Sequence, residues 1–392
     1  MNALRQSDQC HVLSCGLSWP FSPQTSFHFV LLISLLFNPL TALILSIHHT
    51  PIIRPIRMVL EQEGTLSISG AELYTKSWLP DGPVKAKLVF IHGFSDHINR
   101  YPAFFSHLAS KDIAVYGFDQ RGWGRSVKKP AEKGLTGPTT QVLSDIAAFL
   151  SQPHLLGSPG SQEPVFVMGH SMGGGQVLTF AAEPKYESLV KKARGFLLEA
   201  PFIGFSPEER PSWLKITLGR LAGRLMPHFQ LVHKIAVENL TRDKHVQVSI
   251  KEDELMHDTG TLEGFAGLLD RTNDLQQGKM KLGKEGVVKS LWVGHGTADK
   301  TTWFEATKQW FEGCAGGVKD RTLKAYEGWF HQLHCDGECS GEFFEDVANW
   351  ILERAGGEKE EVVKAEEAPK VQEVAAVPEV ADEGSQKAEA KL

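Results

Sequence analysis

The sequence predicts an α/β fold: a mostly parallel sheet flanked by helices, with a helical cap inserted late in the chain. Three observations carry the prediction. From residue 87 onward, short apolar runs alternate with helix-periodic segments. The runs are continuous rather than alternating apolar with polar, as strands buried on both faces require. The rhythm breaks once, at 201–255, where helix-like patches appear with no clear strand.

In chain order, 87–91, 114–118, 165–168, 195–198 and 288–293 read as strands. Between and after them, 101–111, 140–151, 174–183, 303–311 and 342–354 read as helices, and the break at 201–255 holds helical patches at 213–226 and 232–240. The organised part therefore divides into a core of 58–200 and 256–357 and a cap of 201–255. Two further zones flank it. Residues 27–47 contain no Asp, Glu, Lys or Arg over 21 positions, enough for a helix to cross a bilayer of about 30 Å. Arg54 and Arg57 follow, which places the downstream domain on the cytosolic side if the span is real. The other reading makes 1–57 an upstream extension that the working protein lacks, leaving it in the cytoplasm or on a lipid droplet. At the far end, 358–392 carries ten acids, five lysines and no aromatic residue, the composition of a disordered acidic tail.

Charge narrows the partners. Lysine and arginine total 41 against 47 acids, a net charge of -6, with no basic stripe, so nucleic acid is not an expected partner. The five cysteines are unevenly placed and odd in number, which fits a reducing compartment better than a disulfide scaffold. Cys335 and Cys339 lack the second Cys/His pair that a zinc site needs.

The strongest chemical signal is Gly169-His170-Ser171-Met172-Gly173-Gly174, directly after the 165–168 strand and opening a helix. A serine between glycines at such a junction sits on a tight turn that lifts its hydroxyl above the sheet, and the helix behind it aims N–H groups at a developing anion. Serine needs a base to take its proton and a carboxylate to orient that base. In hydrolases of this layout the order is nucleophile, acid, base. Asp299 follows the 288–293 strand through Gly294-His295-Gly296-Thr297-Ala298, and His331 follows the apolar segment 322–326. His334 is the rival base, and Asp258 and Asp270 are rival acids. The oxyanion hole calls for the N–H of the residue after the nucleophile, Met172, and one from an early loop, for which His92-Gly93-Phe94 supplies Phe94.

These motifs, together with Ser95-Asp96-His97-Ile98-Asn99-Arg100-Tyr101, Phe118-Asp119-Gln120-Arg121-Gly122-Trp123-Gly124-Arg125-Ser126 and Tyr326-Glu327-Gly328-Trp329-Phe330-His331, resemble the monoacylglycerol lipases of the α/β-hydrolase superfamily, fungal members in particular. The resemblance spans about 60–355 and includes the serine aminopeptidase S33-like domain. It implies an α/β-hydrolase fold and cleavage of monoacylglycerols to glycerol and fatty acid, with no metal or organic cofactor. It gives Ser171, Asp299 and His331 the triad roles and Phe94 and Met172 the oxyanion roles. It also implies a lipid ester substrate and a cap that touches membranes. Trp213, Leu214, Ile216, Leu218, Leu221 and Leu225 recur at helical spacing in that cap, as an acyl-lining or membrane-resting stripe or as ordinary packing. Two rivals stand beside the lipase: an aminopeptidase or broad esterase (a lysophospholipase among them) with the same triad, and a non-catalytic scaffold. Oligomeric state is not encoded in any of these signals.

Overall fold

The computed structural model describes residues 58–157, 163–205, 212–337 and 340–356. The proposed span at 27–47, the acidic tail and Cys339 lie outside it. Among the described residues no helix is long and apolar enough to cross a membrane.

The chain opens with β1 (Val59–Ile68) and β2 (Ala71–Pro80), an antiparallel hairpin unannounced by any apolar run because β1 is mostly exposed. Its two-residue turn places Ser69 and Gly70 at φ 45° and 76°, the left-handed pair that matches strand twist. Then come β3 (Ala86–Ile91), α1 (Pro102–Ser110), β4 (Ile113–Phe118), α2 (Thr139–Leu150), β5 (Val165–His170), α3 (Met172–Ala182), α4 (Glu187–Val190) and β6 (Gly195–Glu199). The stretch before the next sheet strand holds α5 (Trp213–Leu225), β7 (Gln230–Val232), α6 (Lys244–Glu252), β8 (Thr259–Thr261) and α7 (Leu262–Gln276). The fold closes with β9 (Ser290–Gly296), α8 (Phe304–Cys314), β10 (Asp320–Tyr326) and α9 (Ser340–Ala355).

Eight strands form one sheet in the order β1-β2-β4-β3-β5-β6-β9-β10. All pairs from β4 to β10 are parallel; only the β1–β2 and β2–β4 pairs run antiparallel. Alternate residues of β3 show why its run is continuously apolar. Val89 and Ile91 join one apolar layer with α2 and α3, while Leu88 and Phe90 join the opposite layer with α1 and α9. Each layer removes large side chains from water, at roughly 1.5–3 kcal/mol for each aliphatic or Phe side chain fully buried.

One expected helix is absent. The patch at 232–240 does not form one: Val232 ends β7, which pairs with β8 through Leu231↔Gly260, and only Val237–Asn239 makes a short helical turn. Val237 and Leu240 pack instead on Ile250 of α6, so tertiary pairing overrides the local periodicity. α6 itself begins where Asp243 accepts hydrogen bonds from the N–H groups of His245 and Val246.

Candidate active site

Sheet register brings the first two pieces together. Ile91 of β3 lies opposite Gly169 of β5, so Gly93 and Ser171, each two residues further on, emerge side by side at the carboxyl ends of adjacent strands. A β-carbon on Gly93 would sit 3.3 Å from the β-carbon of Ser171. This is also where the strand order reverses direction, the usual place for a crevice in an open parallel sheet.

Ser171 occupies the turn between β5 and α3 at φ 54°, ψ -119°, a conformation an L-residue adopts only under constraint. Its N–H donates to the Glu199 carbonyl at 2.9 Å, and its carbonyl accepts from Phe202 and Gly175 at 2.9 and 3.1 Å. The flanking glycines are demanded by space: a β-carbon on Gly169 would strike the Gly173 carbonyl, and one on Gly173 would strike the Ile91 carbonyl. Met172 is the first residue of α3, where a helix leaves its leading N–H groups without intrahelical acceptors. Phe94 follows Gly93 on the facing loop, and its ring packs against Trp123 and Phe265.

Asp299 and His331 meet although 32 residues separate them. His331 Nδ1 lies 2.7 Å from Asp299 Oδ2. The acid stands three residues beyond β9 and the histidine five beyond β10, so the parallel pairing of Gly296 with Tyr326 sets their approach. The Asp299 side chain is fully buried and its acceptors are well used. Oδ1 accepts from the N–H groups of Thr301 and Thr302 at 2.7 and 2.9 Å, and Oδ2 also accepts from the Thr302 hydroxyl at 2.8 Å and faces His295 Nε2 at 3.1 Å. Burial would raise the pKa of this carboxyl, but the charge of His331 and the hydrogen bonds from His295 and His331 hold it well below the usual carboxylate range. The carboxylate is thereby available to orient the ring and to balance a positive charge on it.

Ser171 and His331 line one cavity of about 530 Å³. The cavity's outer wall comes from the inserted segment and is partly apolar, with Ile235, Val237, Leu240, Ile250 and Met256; Lys234, Glu238, Lys251 and Asp258 add polar groups. Phe94 divides this cavity from a small recess of about 10 Å³ that Met172, Trp123, Phe265 and Leu268 border.

The rivals separate by partner. His334 turns away from Asp299 and binds Glu199, its Nδ1 2.7 Å from Glu199 Oε1. Asp270 pairs at the surface with Arg220. Asp258 does reach the cavity, although no histidine of the pair above contacts it. His170 also lines the cavity, its ring centroid 4.9 Å from that of His331. Residues that the sequence reading passed over are Glu199, His295, Thr302 and Tyr101. Tyr101 donates its hydroxyl proton to Asp96 and stands 3.0 Å from His170 Nδ1. A carboxylate ending a wholly apolar strand was the available signal for Glu199, because such a charge must find a partner. His170, Glu199 and His334 could offer three ligand atoms within 4.8 Å of one another. Glu199 Oε1 and His334 Nδ1 are spent on each other, while Glu199 Oε2 and His170 Nε2 are buried with no hydrogen-bond partner among the described residues.

The cap stripe is described only in part, because the side chains of 213–216 and 218 lie outside the described set. Leu221 and Leu225 are exposed, and the exposed apolar surface continues through Met226, Phe229, Leu231 and Val232.

The fold is that of an α/β-hydrolase, with a serine turn, a buried carboxylate–histidine pair and an intervening helical segment converging on one cavity. The chain belongs to the family described as serine aminopeptidase, S33, which it matches over residues 82–338. It is 33% identical to a Schizosaccharomyces pombe protein named "Putative monoglyceride lipase", over 76% of this chain and 75% of that one. A monoacylglycerol lipase structure from Paleococcus ferrophilus aligns with TM-score 0.60 at 26% identity, covering 72% of this chain and 99% of its own. A soluble variant of the Saccharomyces cerevisiae monoglyceride lipase, solved with a substrate analog, aligns with TM-score 0.65 at 20% identity over 78% of this chain and 100% of its own.

Proposed function

We propose that this protein is a serine hydrolase that cleaves monoacylglycerols to glycerol and a free fatty acid. The observation that carries the reading is the Asp299–His331 pair at 2.7 Å, opening on the cavity that holds Ser171 beneath a partly apolar wall. The names of the relatives point the same way.

In this reading His331 Nε2 takes the Ser171 proton as Oγ attacks the ester carbonyl, and Asp299 stabilises the imidazolium that forms. The N–H groups of Phe94 and Met172 hold the tetrahedral oxyanion. The intermediate collapses with loss of the glycerol alkoxide, which takes the proton from His331 and leaves the acyl group on Ser171. Water, deprotonated by the same histidine, attacks that acyl ester. A second tetrahedral intermediate then expels Ser171 Oγ, which regains the proton as the fatty acid departs. None of these steps calls for a metal or organic cofactor. The exposed apolar surface from Leu225 to Val232 suits work at a lipid–water interface, on the cytosolic side if Arg54 and Arg57 act as a topological signal.

A panel of monoacylglycerols, p-nitrophenyl esters and a proline p-nitroanilide tests the reading against the aminopeptidase alternative. Esters are expected to be hydrolysed and the anilide not. Faster cleavage of the anilide would overturn the ester assignment. Ser171→Ala is expected to lower kcat by about 10⁶-fold and to abolish fluorophosphonate labelling. A variant that labels and turns over like the parent would remove Ser171 from the mechanism.

A further inference from the structure

Glu199 touches both halves of the machinery. It is the last residue of β6, and its backbone carbonyl accepts the Ser171 N–H at 2.9 Å, fixing the turn that presents the nucleophile. Its carboxylate reaches the other way. Oε1 accepts from the His334 N–H at 3.0 Å and stands 2.7 Å from His334 Nδ1. His334 lies three residues after His331 in the same tight loop, which turns through a short helical segment at Leu333–Cys335. One residue therefore ties the turn of Ser171 to the loop of His331.

The cost of placing it there is high. Glu199 is fully buried and His334 nearly so, and removing a carboxylate and an imidazolium from water costs several kcal/mol per ion before their attraction is counted. Apolar residues could hold β6 in the sheet more cheaply, as Phe196, Leu197 and Leu198 do within the same strand. A charged pair adds direction: two charge-assisted hydrogen bonds to one oxygen fix where the His334 backbone sits, which greasy contact does not. The ring of Tyr101 packs on His334 with centroids 4.3 Å apart, and its hydroxyl lies 3.0 Å from His170 Nδ1, beside the nucleophile. The clamp is thus braced from the oxyanion side as well.

We propose that Glu199 is a positioning residue that acts through His334 and the Ser171 turn to hold the nucleophile and the His331 imidazole in register. The inference rests on Ser171 and His331 being nucleophile and base. A misplacement on the order of 1 Å at reacting groups costs about 10²-fold in rate, so the clamp should be read in the chemical step rather than in substrate affinity.

The test uses the full chain carrying Glu199→Gln, His334→Gln and both together, each checked for folding by circular dichroism and thermal midpoint. Two rates are compared per folded molecule: kcat on a p-nitrophenyl ester, and the second-order rate of fluorophosphonate labelling of Ser171. Glu199→Gln should lower both by roughly 10²-fold with KM within about twofold. The double variant should lose no more than the worse single one, since residues acting as a unit do not add. A folded Glu199→Gln that labels and turns over within twofold of the parent overturns the proposal, as does a double variant whose losses multiply. Should Glu199→Gln fail to fold, His334→Gln carries the same two outcomes. Labelling separates this result from the substrate reading: a parent that labels but hydrolyses no ester refutes the lipase assignment and leaves the clamp to be judged on labelling alone.

Discussion

The carboxyl ends of the parallel strands and the segment inserted after β6 meet at the same cavity, yet they are built on opposite principles. On the sheet side each reactive group is immobilised. Ser171 is set by a strained turn and three backbone hydrogen bonds, and Asp299 by four donors besides His331 or facing it. On the inserted side, elements are short, β7 and β8 have three residues each, and Leu225 and Val232 remain 72% and 63% exposed. On the proposed function, the chemistry falls to the rigid half and the choice and capture of substrate to the more exposed one. Substitutions in the two halves should then move different kinetic quantities.

The largest effect is expected in the rigid half. Asp299→Asn keeps the shape of the side chain but removes the acceptor that fixes the His331 tautomer, and kcat should fall by about 10⁴-fold with little change in KM. Because Thr301, Thr302 and His295 still hold the position, the variant should fold. Steady-state kinetics on a soluble ester checks this: a loss confined to KM would mean that Asp299 shapes the pocket instead of orienting the base.

Acid should weaken the same half. Asp96, Glu199 and Asp299 all have pKa values pushed below those of the unfolded chain; burial opposes this, and hydrogen bonds and neighbouring histidine charge outweigh it. A carboxyl with a depressed folded value contributes stability that is present above its unfolded value, about 4, and lost as pH falls through the folded one. Burial also lowers His92 and His170, and lowers His257 to about 4. Those groups begin to lose stability earlier, once pH drops below the unfolded histidine value of about 6.5. His334 runs the opposite way: burial alone would lower it, but Cys335 and Glu199 beside it raise it well above that value. Its contribution is complete below about 6.5 and is lost only as pH rises through the raised value. The thermal midpoint should therefore decline from pH 6.5 downward and steepen below about pH 4. A midpoint that stays level from pH 7 to pH 3.5 would refute this account of the buried groups.

The same contrast explains what was legible beforehand. Strands buried on both faces announce themselves as continuous apolar runs, and the loops after β5 and β9 carry Ser171 and Asp299, so both could be proposed as nucleophile and acid from order and spacing; β10, which leads to His331, is half exposed and showed only as the short apolar segment 322–326. Choosing His331 over His334 depended on which carboxylate each ring meets, and that pairing exists only after β6, β9 and β10 lie side by side. The partner of Glu199 stands 135 residues away, so its buried charge was a signal without an address; His295 and Thr302 lie four and three residues from Asp299, but spacing alone does not say that their side chains turn toward its carboxylate. β1 was missed because its Glu61, Gln62 and Glu63 face water and leave no apolar pattern. In the inserted segment, where short elements borrow their stability from each other, periodicity misled: 232–240 looks helical, but pairing with β8 claims its first residue.

The smallest effect should come from the more exposed half, and it distinguishes a lipid-seeking surface from incidental exposure. Leu225, the last residue of α5, and Met226 just beyond it are 72% and 53% exposed, so replacing both by serine should change stability by no more than about 0.5 kcal/mol each. If they dip into a bilayer, each loses part of the roughly 1.5–3 kcal/mol that full burial of such a side chain is worth, and together they should reduce affinity for phosphatidylcholine vesicles by about tenfold. Turnover of vesicle-borne monoacylglycerol should fall by a similar factor, while hydrolysis of water-soluble p-nitrophenyl acetate should hold, because neither residue borders the cavity of Ser171. Equal losses on both substrates would mean that the end of α5 supports the catalytic half instead, and that the division of labour between the two sides is wrong. Unchanged vesicle binding would leave the division standing but move the lipid contact elsewhere on the cap, with Phe229 and Val232 as the next exposed apolar residues to replace.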